Sequence, residues 1–226
     1  MLLHAPKQNP KLKLKSEIGN KRRHITYVVD DDVSVCRALE LLLKQHGFRV
    51  ETFTRAIDFL SFKHPKAPSC LVLDVRMPGM SGLALQQAMA DRQLHIPIVF
   101  ITSFGTISVS VKAMKAGAID FLPKPFTEKR LLGAIEIGIA KNIIQNRKQT
   151  EINKINRDIT TLSPRELEVF HYVVEGMVNK QIASKRGTSI QTIKVHRGRV
   201  MFKMHAKTVT ELIHLAQKAG IMTAMK

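Results

Sequence analysis

The chain is poor in cysteine and has no long apolar run. Cys36 and Cys70 are its two cysteines. They have neither the framework of a disulfide-stapled secreted domain nor the ligand spacing of a zinc site, so a reducing cytosol is the expected compartment. No uncharged apolar stretch approaches the ~18 residues that a transmembrane helix needs. The opening segment, MLLHAPKQNPKLKLKSEIGNKRRH, is basic but lacks an apolar h-region, which speaks against a secretory signal. No internal repeat or low-complexity block interrupts the sequence. Acidic residues are scarce: 18 Asp and Glu stand against 36 Lys and Arg, a formal net charge of +18. What the chain does have is 44% apolar residues over 226 positions, enough to bury a core, so wholesale disorder is excluded. A soluble cytoplasmic protein drawn to polyanions is expected, nucleic acid before acidic membrane.

The charge is unevenly placed. Residues 1–24 carry a net +6, residues 25–126 only +2, residues 127–160 +3 and residues 161–226 +7. An excess at the ends and a balanced middle predict two domains with different tasks. The partition expected is a basic disordered arm over 1–23, a first domain over 24–140, a helical linker over 141–160 and a second domain over 161–226.

Within the first domain, ITYVV, RVETF, CLVLD, IPIVFIT and AIDFL are short β-branched and aromatic runs of the kind that form buried parallel strands. Amphipathic helical stretches separate them, at about 33–46, 55–62, 82–91, 106–116 and from about 127 onward. Gly47 and Gly117 stand where helix C-caps belong. Five strand–helix units predict a doubly wound α/β fold with a five-stranded parallel sheet in the order 2-1-3-4-5. The last helix runs on, with Ile135, Ile139, Ile143, Ile152, Ile155 and Ile159 spaced along it. Those isoleucines fit either a seam against a partner or packing on the domain's own sheet to about Ile144 followed by a solvated spacer. From Thr161 the pattern is all-helical, and Ser163, Pro164 and Glu166 form a helix-start signature with a capping box.

Doubly wound folds do their chemistry at the carboxyl ends of the strands. Here those ends are Asp30-Asp31-Asp32, Asp74, Thr102-Ser103 and Lys124. The first and third strands are neighbours in the expected order, so their carboxylates converge. Clustered carboxylates repel unless a cation joins them, and an all-oxygen set suits Mg²⁺. Asp32, just before the first helix, is also placed to cap it. Capping does not account for Asp74, Thr102 and Lys124 at matching strand ends.

The succession VVDDD, LVLDVRMPGMSG, FITSFG and KAGAIDFLPKPF, over roughly 24–140, resembles the receiver domain of two-component response regulators. The resemblance implies that Asp74 accepts a phosphoryl group from a sensor histidine kinase. It implies that Asp31 and Asp74 ligate Mg²⁺ with the backbone carbonyl of Arg76, assisted by Asp30. Thr102 and Lys124 would hold the phosphoryl group, Phe121 would swing inward, and the Lys124–Pro125 peptide is often cis in such domains. Cys36 departs from the arginine usual at its position. A competing resemblance, to haloacid-dehalogenase-type phosphatases through Asp30-x-Asp32, lacks the further acidic pair those enzymes need and leaves Asp74 without a role.

The second domain predicts four helices, at about 164–175, 179–186, 189–204 and 208–219, with Gly187 in a tight turn between the second and third. Leu167, Phe170 and Val174 share one face of the first. NKQIA, TIKVHRGRV and ELIHLA resemble the LuxR-type helix-turn-helix, and with the receiver resemblance the chain resembles the FixJ type of response regulator. On the third helix Ile193, Val200 and Met204 face inward, with Ile190 near them. Gln191, Lys194, Val195, Gly198 and Arg199 face outward, flanked by Thr192, with Lys194 and Val195 the leading base readers. Arg197 falls about 40° from Ile193 at ~100° per residue, which makes it a structural partner of Glu166 before a base reader. His196 flanks the face, for packing or a phosphate. Asn179, Lys180, Lys203 and Lys207 are expected on phosphates, which position a protein without specifying sequence. Arg186 and Thr188 replace residues usually apolar around the turn, which puts its stability in question, and Gly198 stands where some relatives have a base-contacting lysine.

These readings predict a transcription regulator, not an enzyme beyond slow autodephosphorylation. Its partners would be a histidine kinase, promoter DNA, a second copy on phosphorylation and RNA polymerase, with no membrane. The alternatives are a phosphorylation-independent DNA-binding regulator whose receiver serves only protein interaction, and the phosphatase.

Overall fold

The computed structural model describes residues 21–103 and 106–221, which divide into two compact units between Asn146 and Arg147. The basic arm expected over 1–23 lies outside the described residues, apart from a 3-10 turn at Lys21–Arg23. Lys21 is anchored there: it pairs with Glu136 at 2.8 Å and sits 4.7 Å from the Phe48 ring.

The first unit alternates strand and helix: β1 (Ile25–Val29), α1 (Val33–Gln45), β2 (Arg49–Phe53), α2 (Ala56–Ser61), β3 (Ser69–Asp74), α3 (Gly82–Asp91), β4 (Ile98–Thr102), α4 (Ile107–Lys115), β5 (Asp120–Pro123) and α5 (Glu128–Thr160), whose residues from Arg147 onward belong to the second unit. All strand pairs are parallel and the order is β2-β1-β3-β4-β5, as the sequence predicts. β1, β3 and β4 are buried along their whole length because helices cover both faces, which is why they read as unbroken apolar runs. Side chains alternate between two cores. Val28, Val72, Val99 and Leu122 pack with Leu39 and Leu43 of α1 and with Leu131, Ile135, Ile139 and Ile143 of α5. Tyr27, Val29, Leu71, Leu73 and Phe100 face Phe59 of α2, Leu85 and Met89 of α3 and Ala113 of α4. β2 is an edge strand, and Arg49 and Thr52 are exposed.

Two buried amides tie the helices of this unit in place, one to the sheet and one to a neighbouring helix, and the apolar pattern did not reveal them. Asn142 on α5 accepts the Ser69 N–H at 3.0 Å and donates to the His95 carbonyl at 3.0 Å. Gln86 on α3 donates to the Ala113 and Ala116 carbonyls at the end of α4, both at 3.3 Å.

The second unit contains α6 (Pro164–Val174), α7 (Asn179–Arg186), α8 (Ile190–Lys203) and α9 (Val209–Lys218). Ser163 caps α6 in a capping box with Glu166, and Gly187 closes α7 with a φ of 59°. Its core holds Phe170, Val173, Val174, Ile182, Ile193, Val200, Met204 and Leu212, together with Ile155 from the end of α5. The isoleucines of α5 therefore serve two cores: Ile135, Ile139 and Ile143 pack on the sheet of the first unit, and Ile155, which lies within the second unit, packs in that unit's own core. Beyond Ile143 exposure is continuous over 144–151, and Ile155 is buried again. Among the described residues no helix is long and apolar enough to cross a membrane.

Candidate functional site

The first site forms where β1, β3 and β5 end. Asp30 and Asp74 are 2% and 6% exposed, and between them lies the Lys124 ammonium, 2.6 Å from Asp30 Oδ2 and 3.0 Å from Asp74 Oδ1. The remaining oxygens accept backbone N–H groups: Asp30 Oδ1 from Asp32 at 3.0 Å and Asp74 Oδ2 from Arg76 at 2.6 Å. β5 delivers Lys124 through its own N–H, which donates to the Thr102 carbonyl at 2.7 Å. The Lys124–Pro125 peptide that follows is cis.

The electrostatics follow from this sharing. Burial pushes the Asp74 carboxyl above the usual aspartate range and outweighs the Lys124 and Arg76 donors. Burial also works against the Lys124 ammonium, but its bonds to Asp30 and Asp74 prevail and raise it. Cys36 fits the same corner: its thiol donates to the Asp30 carbonyl at 3.3 Å, and burial followed by the Asp30 charge keeps it protonated. The departure at position 36 thus replaces a charge with a small donor that holds the acidic strand end.

Two glycines permit close helix packing on β3, one at each end of the strand. A Cβ on Gly82, the first residue of α3, would stand 2.2 Å from the Asp74 carbonyl oxygen. On α5, a Cβ on Gly138 would stand 2.6 Å from Cys70 Sγ in β3.

The remaining expected members lie around this pair. Thr102 is buried at the end of β4, and Phe121 is half-buried with its ring 6.2 Å from that of Phe100. Asp32 caps α1, accepting from Ser34 at 2.7 Å and Val35 at 3.4 Å. Asp31 is exposed at the rim. Among the described residues no three His, Cys, Asp or Glu side chains are grouped to hold a metal by themselves. Mg²⁺ seldom uses such a cage; it binds through one or two carboxylates and keeps several waters. Two buried carboxylates share one ammonium here, so one negative charge stays uncompensated and Asp31 adds another beside it. An all-oxygen site with that residual charge fits the ion.

The second site is the outer face of α8. Gln191, Thr192, Lys194, Val195, Gly198 and Arg199 are exposed there, while Ile193, Val200 and Met204 are buried. Lys180 and Lys207 are exposed and Asn179 half-buried. One expectation is corrected, for Arg197, and another residue, Lys203, has a partner within the unit. Lys203, expected on a phosphate, places its ammonium 2.6 Å from Glu166 and 2.9 Å from the Thr161 carbonyl. Arg197, expected on Glu166, donates to Asn179 Oδ1 at 2.9 Å. A helical wheel gives azimuth but not height along the axis. Lys203 is in the last turn of α8, level with the start of α6, whereas Arg197 lies nearly two turns earlier, beside the start of α7. Lys203 and the Ser163 N–H hold the Glu166 carboxyl down at about 2. At the turn, Arg186 pairs with Glu168 at 2.9 Å, and Thr188 is an exposed turn residue. Phe202, which the wheel places half a turn from Ile193, is 80% exposed on the outer face, and a search for polar readers passes over it.

Family models match both units: a response regulator receiver domain over residues 26–136, and the bacterial regulatory proteins of the luxR family over residues 160–216. The chain belongs to the two-component response regulators that join a receiver domain to a LuxR-type DNA-binding domain. Nodulation protein W of Bradyrhizobium diazoefficiens is 42% identical over 197 residues, 87% of either chain. The transcriptional regulatory protein FixJ of the same organism is 39% identical, over 87% of this chain and 96% of its own. Among solved structures, the response regulator StyR matches with a TM-score of 0.76 at 44% identity, covering 87% of this chain and 99% of that one. These similarities place the chain with the FixJ-type regulators and set the phosphatase resemblance aside.

Proposed function

We propose that this regulator is switched by phosphorylation of Asp74 from a sensor histidine kinase, and that the switch controls dimerisation and binding to promoter DNA. The observation that carries the reading is the sharing of one ammonium, Lys124, by two buried carboxylates, Asp30 and Asp74, at the carboxyl edge of a parallel sheet. In the transfer, an Asp74 oxygen bonds to phosphorus while the phosphorus–nitrogen bond to the kinase histidine breaks, and the imidazole leaves with the electron pair. Such transfers depend on positioning and charge neutralisation. Asp30, Asp31, Asp74 and the Arg76 carbonyl would hold Mg²⁺, which neutralises phosphoryl charge when bound. Lys124 pairs with the new dianion, Thr102 hydrogen-bonds it, and Phe121 fills the space the hydroxyl leaves. That shift biases α4 and β5, where exposed Ile107, Val111 and Met114 offer an apolar face for a second copy. Paired α8 helices then enter successive major grooves, with Lys180, Arg199 and Lys207 near phosphates. A reducing cytoplasm suits the two buried thiols, Cys36 and Cys70.

The test compares oligomeric state and duplex-DNA affinity with Mg²⁺, with and without beryllofluoride, in the wild type and in Asp74→Asn. The mimic should promote dimers and tighten binding in the wild type alone. Equal behaviour in all conditions would favour the phosphorylation-independent regulator.

A further inference from the structure

Two residues on the outer stripe of α8 are unfavourable for the free protein. Phe202 leaves a phenyl ring 80% exposed while Ile193, Val200 and Met204 fill the core on the opposite side. Gly198, in the middle of the helix, weakens it relative to alanine. A Cβ there would meet nothing within 4 Å, so the unit's own packing does not require a glycine. Val195, Gly198 and Phe202 follow at spacings of three and four and make one stripe, with Val195 itself 45% exposed. An exposed ring and an unneeded glycine on one stripe point to an outside surface that approaches the helix closely.

The charges select that surface. α8 contains no acidic residue, and exposed Lys194 and Arg199 flank the stripe. A partner bordered by negative charge and apolar at its centre matches duplex DNA, whose major groove admits a helix and presents the thymine methyl group. Seven residues separate Val195 from Phe202, about 10.5 Å along the axis, or about three base steps.

We propose that Val195 and Phe202 read thymine methyl groups about three steps apart, with Gly198 letting the α8 backbone approach the bases between them. This rests on the DNA-binding reading above and adds what the helix recognises.

The experiment selects a preferred duplex with the full-length wild type, using beryllofluoride and Mg²⁺, and then replaces each thymine with uracil, which removes only the methyl. Wild-type affinity should fall about tenfold at two positions about three steps apart. Phe202→Ala should lose discrimination at one of them and Val195→Ala at the other, with unchanged salt dependence on unrelated DNA. Equal wild-type affinity for thymine and uracil duplexes overturns the strip and leaves DNA binding intact. Undiminished uracil discrimination in Phe202→Ala also overturns it, including the case in which that variant changes only self-association. Failure of the wild type to bind any duplex overturns the DNA-binding reading and the strip with it.

Discussion

Each unit buries carboxylate against lysine, and the two arrangements differ in how many carboxylates one ammonium serves. In the second unit Lys203 serves Glu166 alone, and the Ser163 N–H shares the same carboxylate oxygen. The charges cancel, Glu166 titrates at about 2, and the pair fastens the end of α8 to the start of α6. In the first unit Lys124 divides itself between Asp30 and Asp74, and burial leaves Asp74 with a raised pKa. A balanced pair is a fastening; an unbalanced trio is a place where another cation improves the electrostatics. The difference comes from stoichiometry more than from residue type.

Three substitutions would break or sharpen this contrast. Tyr27 lies in one unit and Tyr172 in the other, and the chain has no tryptophan, so tyrosine fluorescence with either tyrosine replaced by phenylalanine assigns unfolding to a unit. The largest effect is expected for Lys203→Met, which strands a buried carboxylate and should cost the second unit about 3 kcal/mol at pH 7 in urea unfolding. Glu166 has its pKa depressed from 4.5 to about 2, so its stabilisation is full above 4.5 and is lost as the pH falls through about 2. The wild-type advantage should shrink over that window, and a difference constant down to pH 2 would contradict the pairing.

Lys124→Met should cost the first unit less, about 2 kcal/mol without Mg²⁺, because Asp30 and Asp74 can share a proton in place of the ammonium. Added Mg²⁺ should restore part of the loss in thermal melts; melts insensitive to the ion would show that the trio attracts no second cation. Asp74→Asn should stabilise the first unit at neutral pH by about 1 kcal/mol, since it removes the charge that burial penalises and leaves Lys124 to Asp30. The raised pKa makes ionised Asp74 a cost that disappears as the pH falls and the group protonates. The variant's advantage should therefore fade on acidification; a destabilised variant at pH 7 would mean that the trio is a fastening after all.

How much was legible depended on whether a periodicity or a height was being read. β1, β3 and β4 were readable because burial on both faces leaves no polar alternation to misplace. Asp30, Asp74 and Lys124 were readable as a group because strand order brings their strand ends together. Asp31 was not separable from its neighbours by that argument, since adjacent residues leave a strand in opposite directions. The exchange between Lys203 and Arg197 was hidden because azimuth on α8 says nothing about which turn meets α6. The isoleucines of α5 stayed ambiguous because two separate cores ask for the same spacing. Asn142 and Gln86 were missed because a buried amide looks like a surface residue until its carbonyl and N–H partners are seen.

Gly82 shows how far a requirement can lie from the chemistry it serves. Its missing side chain lets the start of α3 rest on the Asp74 carbonyl, while its own N–H donates to the Val75 carbonyl at 3.0 Å. A saturation scan read out by transcription would return Gly82 beside Asp74 and Lys124 as equally intolerant positions. Only the last two would answer to a change in charge, whereas Gly82 would reject every side chain alike. An inventory of intolerant positions would thus overcount the reactive groups, and the profile of what each position refuses would tell volume from chemistry.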